Sequence, residues 1–173
     1  LYSLPSYEET RPTAVSEYGK FKVSLEKLLF EKIKNQVSIL RLPMVLGSYS
    51  PRILQVRQAI KHQAVFDVYP NLIISVTTAN TIAQQIHYII NKELSGIFHL
   101  ASNDLVHHQD LFIEICEKIS NKTPIFKSIY NSNDDQYLAI LPKHNILPAN
   151  YQTTVAEVIE NSTLEDLITI KNK

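Results

Sequence analysis

Tyr18-Gly19-Lys20-Phe21-Lys22 heads an amphipathic run that ends near residue 35, and the apolar stretch Ser38-Ile39-Leu40-Arg41-Leu42-Pro43 follows it. Phe21, Leu25, Leu28, Leu29 and Ile33 recur at three- and four-residue spacing, with Glu26, Lys27, Glu31 and Lys32 on the other side. That period predicts a helix over residues 15–35 with one buried stripe. Tyr18 and Lys22 then lie one turn apart. Residues four apart share a helix face, with Cβ atoms roughly 5–6 Å from each other, so a phenol and an ammonium can address one bound molecule together. Residues 37–42 read as a short strand covered on both faces and closed by Pro43, the pattern of an interior strand in a parallel sheet.

The alternation continues along the chain. A proline in the first turn opens a helix over 51–62, and residues 65–68 and 72–76 read as short strands. Ile82, Ala83, Ile86, Ile89 and Ile90 give residues 79–91 a helical period; a buried strand over 96–101 and a helix over 108–120 follow. Strands alternating with helices predict an α/β architecture with at least part of a parallel sheet. Towards the end, 124–130 reads as a strand, 131–135 as a polar loop, and 153–161 and 164–170 as two short helices. The chain has no internal repeat.

With 173 residues and 45% hydrophobic content, the chain can build one domain with a real core. No apolar run approaches the length needed to span a bilayer as a helix, so no membrane is expected as partner. Seventeen basic side chains balance seventeen acidic ones, leaving no net field to draw the protein onto nucleic acid. Cys116 is the only cysteine and sits in a helical pattern, where it reads as a small buried apolar residue. A single cysteine forms no disulfide within the chain, which suits the reducing cytoplasm. The adjacent His107 and His108 point to different helix faces, and no Cys, Asp or Glu recurs at ligand spacing, so no metal site is expected.

Four stretches in order carry a resemblance: Tyr7-Glu8-Glu9-Thr10-Arg11-Pro12, Tyr18-Gly19-Lys20-Phe21-Lys22, Leu40-Arg41-Leu42-Pro43-Met44-Val45-Leu46-Gly47 and Gly96-Ile97-Phe98-His99-Leu100-Ala101. Together they resemble the extended short-chain dehydrogenase/reductases, and within these the dTDP-4-dehydrorhamnose reductase group of sugar-nucleotide-binding proteins. All three glycines of the chain, Gly19, Gly47 and Gly96, fall inside these stretches. The resemblance implies the latter part of a Rossmann-like parallel sheet plus a small α/β substrate-binding region. Residues 1–50 would end the Rossmann-like domain with the Tyr-x-x-x-Lys helix and its following strand. Residues 51–173 would be mainly the substrate-binding region, with a candidate return strand.

The same resemblance implies the carboxyl-terminal part of an NAD(P)-dependent reductase of a nucleotide-activated 4-keto sugar, as in rhamnose biosynthesis. Tyr18 would be the general acid that protonates the ketone oxygen as hydride arrives from the nicotinamide. A free phenol has a pKa of about 10, so acting as base in the reverse direction requires a nearby positive charge. Lys22 would supply that charge and bond the nicotinamide ribose. Backbone groups from Pro43 to Val45 would face the nicotinamide and substrate, Met44 would touch substrate, and Arg52 would reach the diphosphate. Phe21, Met44, Val76 and Asn80 depart from the residues usual at these places. A non-catalytic regulatory or binding relative, or a nucleotide-sugar epimerase or dehydratase, therefore stand as alternatives. The Gly-rich turn that holds the pyrophosphate of NADP or NAD does not occur in this sequence. The chain starts at Leu1 in a turn-rich segment without a strand, so it is expected to be the back part of a longer protein and, alone, to bind NAD(P)H weakly and not to turn over. Relatives often dimerise through the Tyr-x-x-x-Lys helix, which makes a homodimer the assembly to expect.

Overall fold

The computed structural model describes residues 2–143 and 147–164. Ser16 caps the first helix, α1 (Glu17–Ile33), its hydroxyl accepting the Gly19 N–H at 3.1 Å. A single 3-10 turn then leads into β1 (Ser38–Arg41), Pro43 breaks the strand, and β2 (Met44–Leu46) resumes it. Pro51 in the first turn opens α2 (Pro51–His62), which ends where Gln63 takes the left-handed conformation. Three short strands follow: β3 (Val65–Val68), β4 (Leu72–Ile74) and β5 (Val76–Thr78). Thr78 caps α3 (Ala79–Asn91), and β6 (Gly96–His99), β7 (Val106–His107) and α4 (His108–Ile119) come next. The described chain closes with β8 (Ile125–Ser128), β9 (Gln136–Leu138) and α5 (Val155–Thr163), the last opened by a capping box between Thr154 and Glu157.

Most strand pairs are parallel and join distant parts of the sequence. β1 pairs with β6 in the register Ser38 to Gly96 through Arg41 to His99; β2 pairs with β5, β3 with β8, and β4 with β9. β7 alone runs antiparallel, against β4. Parallel strands joined through helices make the α/β architecture that the alternating pattern implied. Gly96 opens β6 at φ +125°, a conformation that side chains disfavour, and its N–H reaches the Val37 carbonyl at 2.9 Å.

Two apolar clusters hold the layers. The larger gathers Ile53 and Val56 of α2, Val68, Ile74 and Val76 of the strands, Phe112 and Ile115 of α4, and Val158 and Ile159 of α5, all essentially without solvent contact. The smaller packs Ile89 of α3 on Phe98, Leu100 and Leu147. Cys116 lies inside the larger cluster, as its place in the apolar period predicted, and burial pushes its thiol up to about 11.

Three expectations are corrected. α1 has no fully buried residue: Phe21 is 62% exposed, Leu28 and Ile33 are exposed too, and Leu25 and Leu29 are only half-buried. β1 is half-buried with Ser38 exposed, not covered on both faces. The strand expected over 72–76 is two strands parted at Ser75, whose hydroxyl accepts the Ile140 N–H at 3.1 Å. The helix expected over 164–170 lies outside the described residues.

Candidate functional site

Tyr18 sits in the first turn of α1, and Gly19 explains how that turn is reached. A Cβ on Gly19 would meet the Ala14 Cβ at 2.7 Å and the Ser16 hydroxyl at 3.1 Å, so the incoming chain folds against the helix where only glycine leaves room. Glu17 takes Lys20 in a 2.8 Å ion pair. Lys22 instead places its ammonium 5.4 Å from the centre of the Tyr18 ring, and the phenol is 73% exposed. The four-residue spacing thus gives a phenol and an ammonium on one open face.

The other sequence-selected residues are spread along two elements. Met44 is half-buried and packs on the larger apolar cluster, whereas the neighbouring Val45 side chain is 36% exposed. Both belong to β2, opposite Val76 and Thr77 of β5, and Pro43 precedes them. Arg52 is exposed in the first turn of α2 and donates to Gln55 Oε1 at 3.1 Å. It borders a groove of about 830 Å³ between α2 and β3, with Gln55, Gln58, His62, Asp67 and Tyr69 along the walls. Arg52 alone of the selected residues lines this groove; Tyr18 and Lys22 do not.

Sequence reasoning missed the polar contacts behind these faces. Arg41, at the end of β1, grips Glu26 of α1 with two bonds, Nε to Oε1 at 3.1 Å and Nη2 to Oε2 at 2.7 Å. Its remaining amino group lies 3.5 Å from Nε2 of His99. Glu8 is buried, and its carboxylate accepts the backbone N–H groups of His99 and Lys143, each at 3.0 Å. Burial holds His99 below the ordinary imidazole value, against the opposing pull of the Glu8 carboxylate. His108, at the start of α4, is buried against Tyr69 and Phe112. Its desolvation, helped by the Arg52 charge, lowers the imidazole to about 4. The matching stretches contained Glu8, Arg41 and His99, but nothing in a local pattern shows that residues so distant meet. Among the described residues no three His, Cys, Asp or Glu side chains are placed to hold a metal ion, and no helix is long and apolar enough to cross a membrane.

No family model matches this sequence, and no curated protein matches it either. Solved structures do. A dTDP-4-dehydrorhamnose reductase from Yersinia enterocolitica superposes with a TM-score of 0.78 at 18% identity, over 92% of this chain and 60% of that one. The enzyme of the same name from Bacillus anthracis, in complex with NADP, gives 0.73 at 14% identity, over 90% of this chain and 58% of that one. This chain shares their fold. UDP-glucuronic acid 4-epimerase from Bacillus cereus, in complex with NAD, gives 0.71 at 18% identity, over 98% and 57%. The chain thus shares the fold of these nucleotide-sugar enzymes, and it spans about 60% of the length of the reductases it matches.

The residues present suit one end of a nicotinamide dinucleotide. An exposed ammonium beside an exposed phenol matches hydroxyl groups of a ribose and a polar ring substituent. The pyrophosphate does not fit the described residues. Gly19 lies within a helix, Gly47 and Gly96 are strand-linked and far apart in sequence, and no run of glycine N–H groups forms an anion cradle.

Proposed function

We propose that this chain is the proton-donating and substrate-binding part of an NAD(P)-dependent reductase of a nucleotide-activated 4-keto sugar, such as a dTDP-4-keto-6-deoxyhexose. The observation that carries it is the open Tyr18–Lys22 pair, with 5.4 Å between ammonium and ring, on a fold shared with enzymes of this kind. When bound, the nicotinamide supplies a hydride to the carbonyl carbon. Tyr18 then gives its hydroxyl proton to the carbonyl oxygen, so the ketone becomes an alcohol and the phenolate awaits a proton from solvent. Lys22 stabilises that phenolate and holds the ribose hydroxyls. Backbone groups of Pro43 to Val45 would border the nicotinamide, and the outward side chain there is that of Val45 while Met44 packs on the core. Arg52, an exposed cation in the first turn of α2, would bind the diphosphate.

A second reading has one observation in its favour: dehydratases and epimerases of nucleotide sugars share the fold as well as reductases. The test uses the full-length protein with NADPH and a dTDP-4-keto sugar, following loss of NADPH absorbance. Tyr18→Phe is expected to lower turnover by about 10²-fold or more while leaving cofactor affinity unchanged. Equal turnover in that variant removes Tyr18 from the chemistry; epimerised product without net NADPH consumption favours the second reading.

A further inference from the structure

We propose that Arg41 is a positioning residue for the Tyr18–Lys22 pair, acting by occupying Glu26. The inference rests on the reading of that pair as the reactive one, and its geometry is independent of any substrate. Tyr18, Lys22 and Glu26 follow one another at four-residue intervals along α1, so Lys22 has a phenol one turn behind it and a carboxylate one turn ahead. Attraction to either neighbour is small and of the same order. Which neighbour receives the ammonium is therefore decided by whatever else engages the carboxylate.

Arg41 engages it fully. Both oxygens of Glu26 are taken, at 3.1 and 2.7 Å, in a fork that a guanidinium makes and a lysine cannot. The pair is well shielded, with side chains 18% and 20% exposed, so solvent competes weakly for it. His99 flanks the guanidinium on its far side at 3.5 Å, and Glu8 fixes the His99 backbone in turn. Lys22 is found over the Tyr18 ring. The same ion pair ties α1 to β1, which matters for a helix without a single buried residue. Arg41 thus sets where the helix lies and keeps Glu26 from drawing Lys22 away from the phenol.

The test reads Lys22 directly. A methylene beside an aromatic face resonates upfield through the ring current, so the ε-CH2 of Lys22 in the 173-residue chain reports its residence over Tyr18; Tyr18→Leu supplies the zero. Arg41→Met releases Glu26 and is expected to reduce the upfield displacement about twofold, the population change that one exposed four-residue ion pair can drive. Adding Glu26→Gln to that variant removes the competitor and restores the displacement. Arg41→Leu, which likewise leaves Glu26 without a donor from β1, serves the same comparison if Arg41→Met does not fold. An unchanged displacement in the single variant overturns the proposal. So does a double variant that stays as low as the single one, because a purely structural Arg41 would give that result. Neither readout depends on turnover, so a protein that proves inactive as a reductase leaves this inference standing or falling on its own.

Discussion

Acidification from about pH 7 to about pH 5 is expected to remove roughly 2 kcal/mol of stability through His108. The imidazole falls from its ordinary 6.5 to about 4 in the folded chain, first because it is buried and second because Arg52 is near. As pH drops below 6.5 the unfolded chain takes up the proton and the folded one does not, so stability declines until the pH nears 4. At about 1.4 kcal/mol per pKa unit the full loss is about 3.5 kcal/mol, more than half of it already present at pH 5. The geometry agrees with a neutral ring: Nδ1 accepts the Tyr69 N–H at 3.4 Å, and a proton there would set donor against donor. Burial also lowers His99, which adds loss of the same sign. Urea unfolding followed by circular dichroism across this range gives the loss, and the His108 ring resonances give the midpoint. His108→Leu abolishes this contribution to the slope whatever it does to stability at neutral pH. A variant that loses stability with pH as steeply as the parent refutes the reasoning, as does a His108 midpoint near 6.5.

Other outcomes follow from single contacts. Gly19→Ala forces a Cβ to within 2.7 Å of Ala14, and overpacking of this kind should outweigh the gain in helix propensity, for a net loss of about 1 kcal/mol in a thermal melt; a raised melting temperature would contradict it. Thr154→Ala removes the hydroxyl that accepts the Glu157 N–H and dissolves the capping box of α5, costing about 1 kcal/mol by urea unfolding, where no change would show the box to be idle. The 173-residue chain alone should quench or enhance NADPH fluorescence only at concentrations well above micromolar, since its three glycines form no pyrophosphate turn, and micromolar affinity would contradict that.

Local chemistry made the helices readable. α2 begins at Pro51, as expected from a first-turn proline, and α3 spans Ala79–Asn91, as its apolar period predicted. β7 and β9 escaped notice because two or three residues carry no period, and each exists through pairing with Ile73 and Ile74 of β4. The stripe of α1 was legible as a pattern, but its burial was not. A pattern says which face seeks a partner, and only tertiary structure says whether one arrives. The Tyr18–Lys22 spacing was legible for the same reason that the helix was. Glu8 and His99 lie 91 residues apart, and Arg41 and Glu26 lie 15 apart across a turn and two elements, so their meeting is a property of the sheet.

The parallel pairings also govern how this chain is made. β1 waits for β6, β3 for β8 and β4 for β9, in each case about 60 residues later, or several seconds of synthesis at 5–20 residues per second. Throughout that interval β1, β3 and β4 lack the strands they pair with here, and α2 lacks α4 to cover Ile53 and Val56. The larger apolar cluster closes only once α4 and α5 have been made. Unpaired strand edges and uncovered apolar side chains of this kind are aggregation-prone during synthesis and are what chaperones cover.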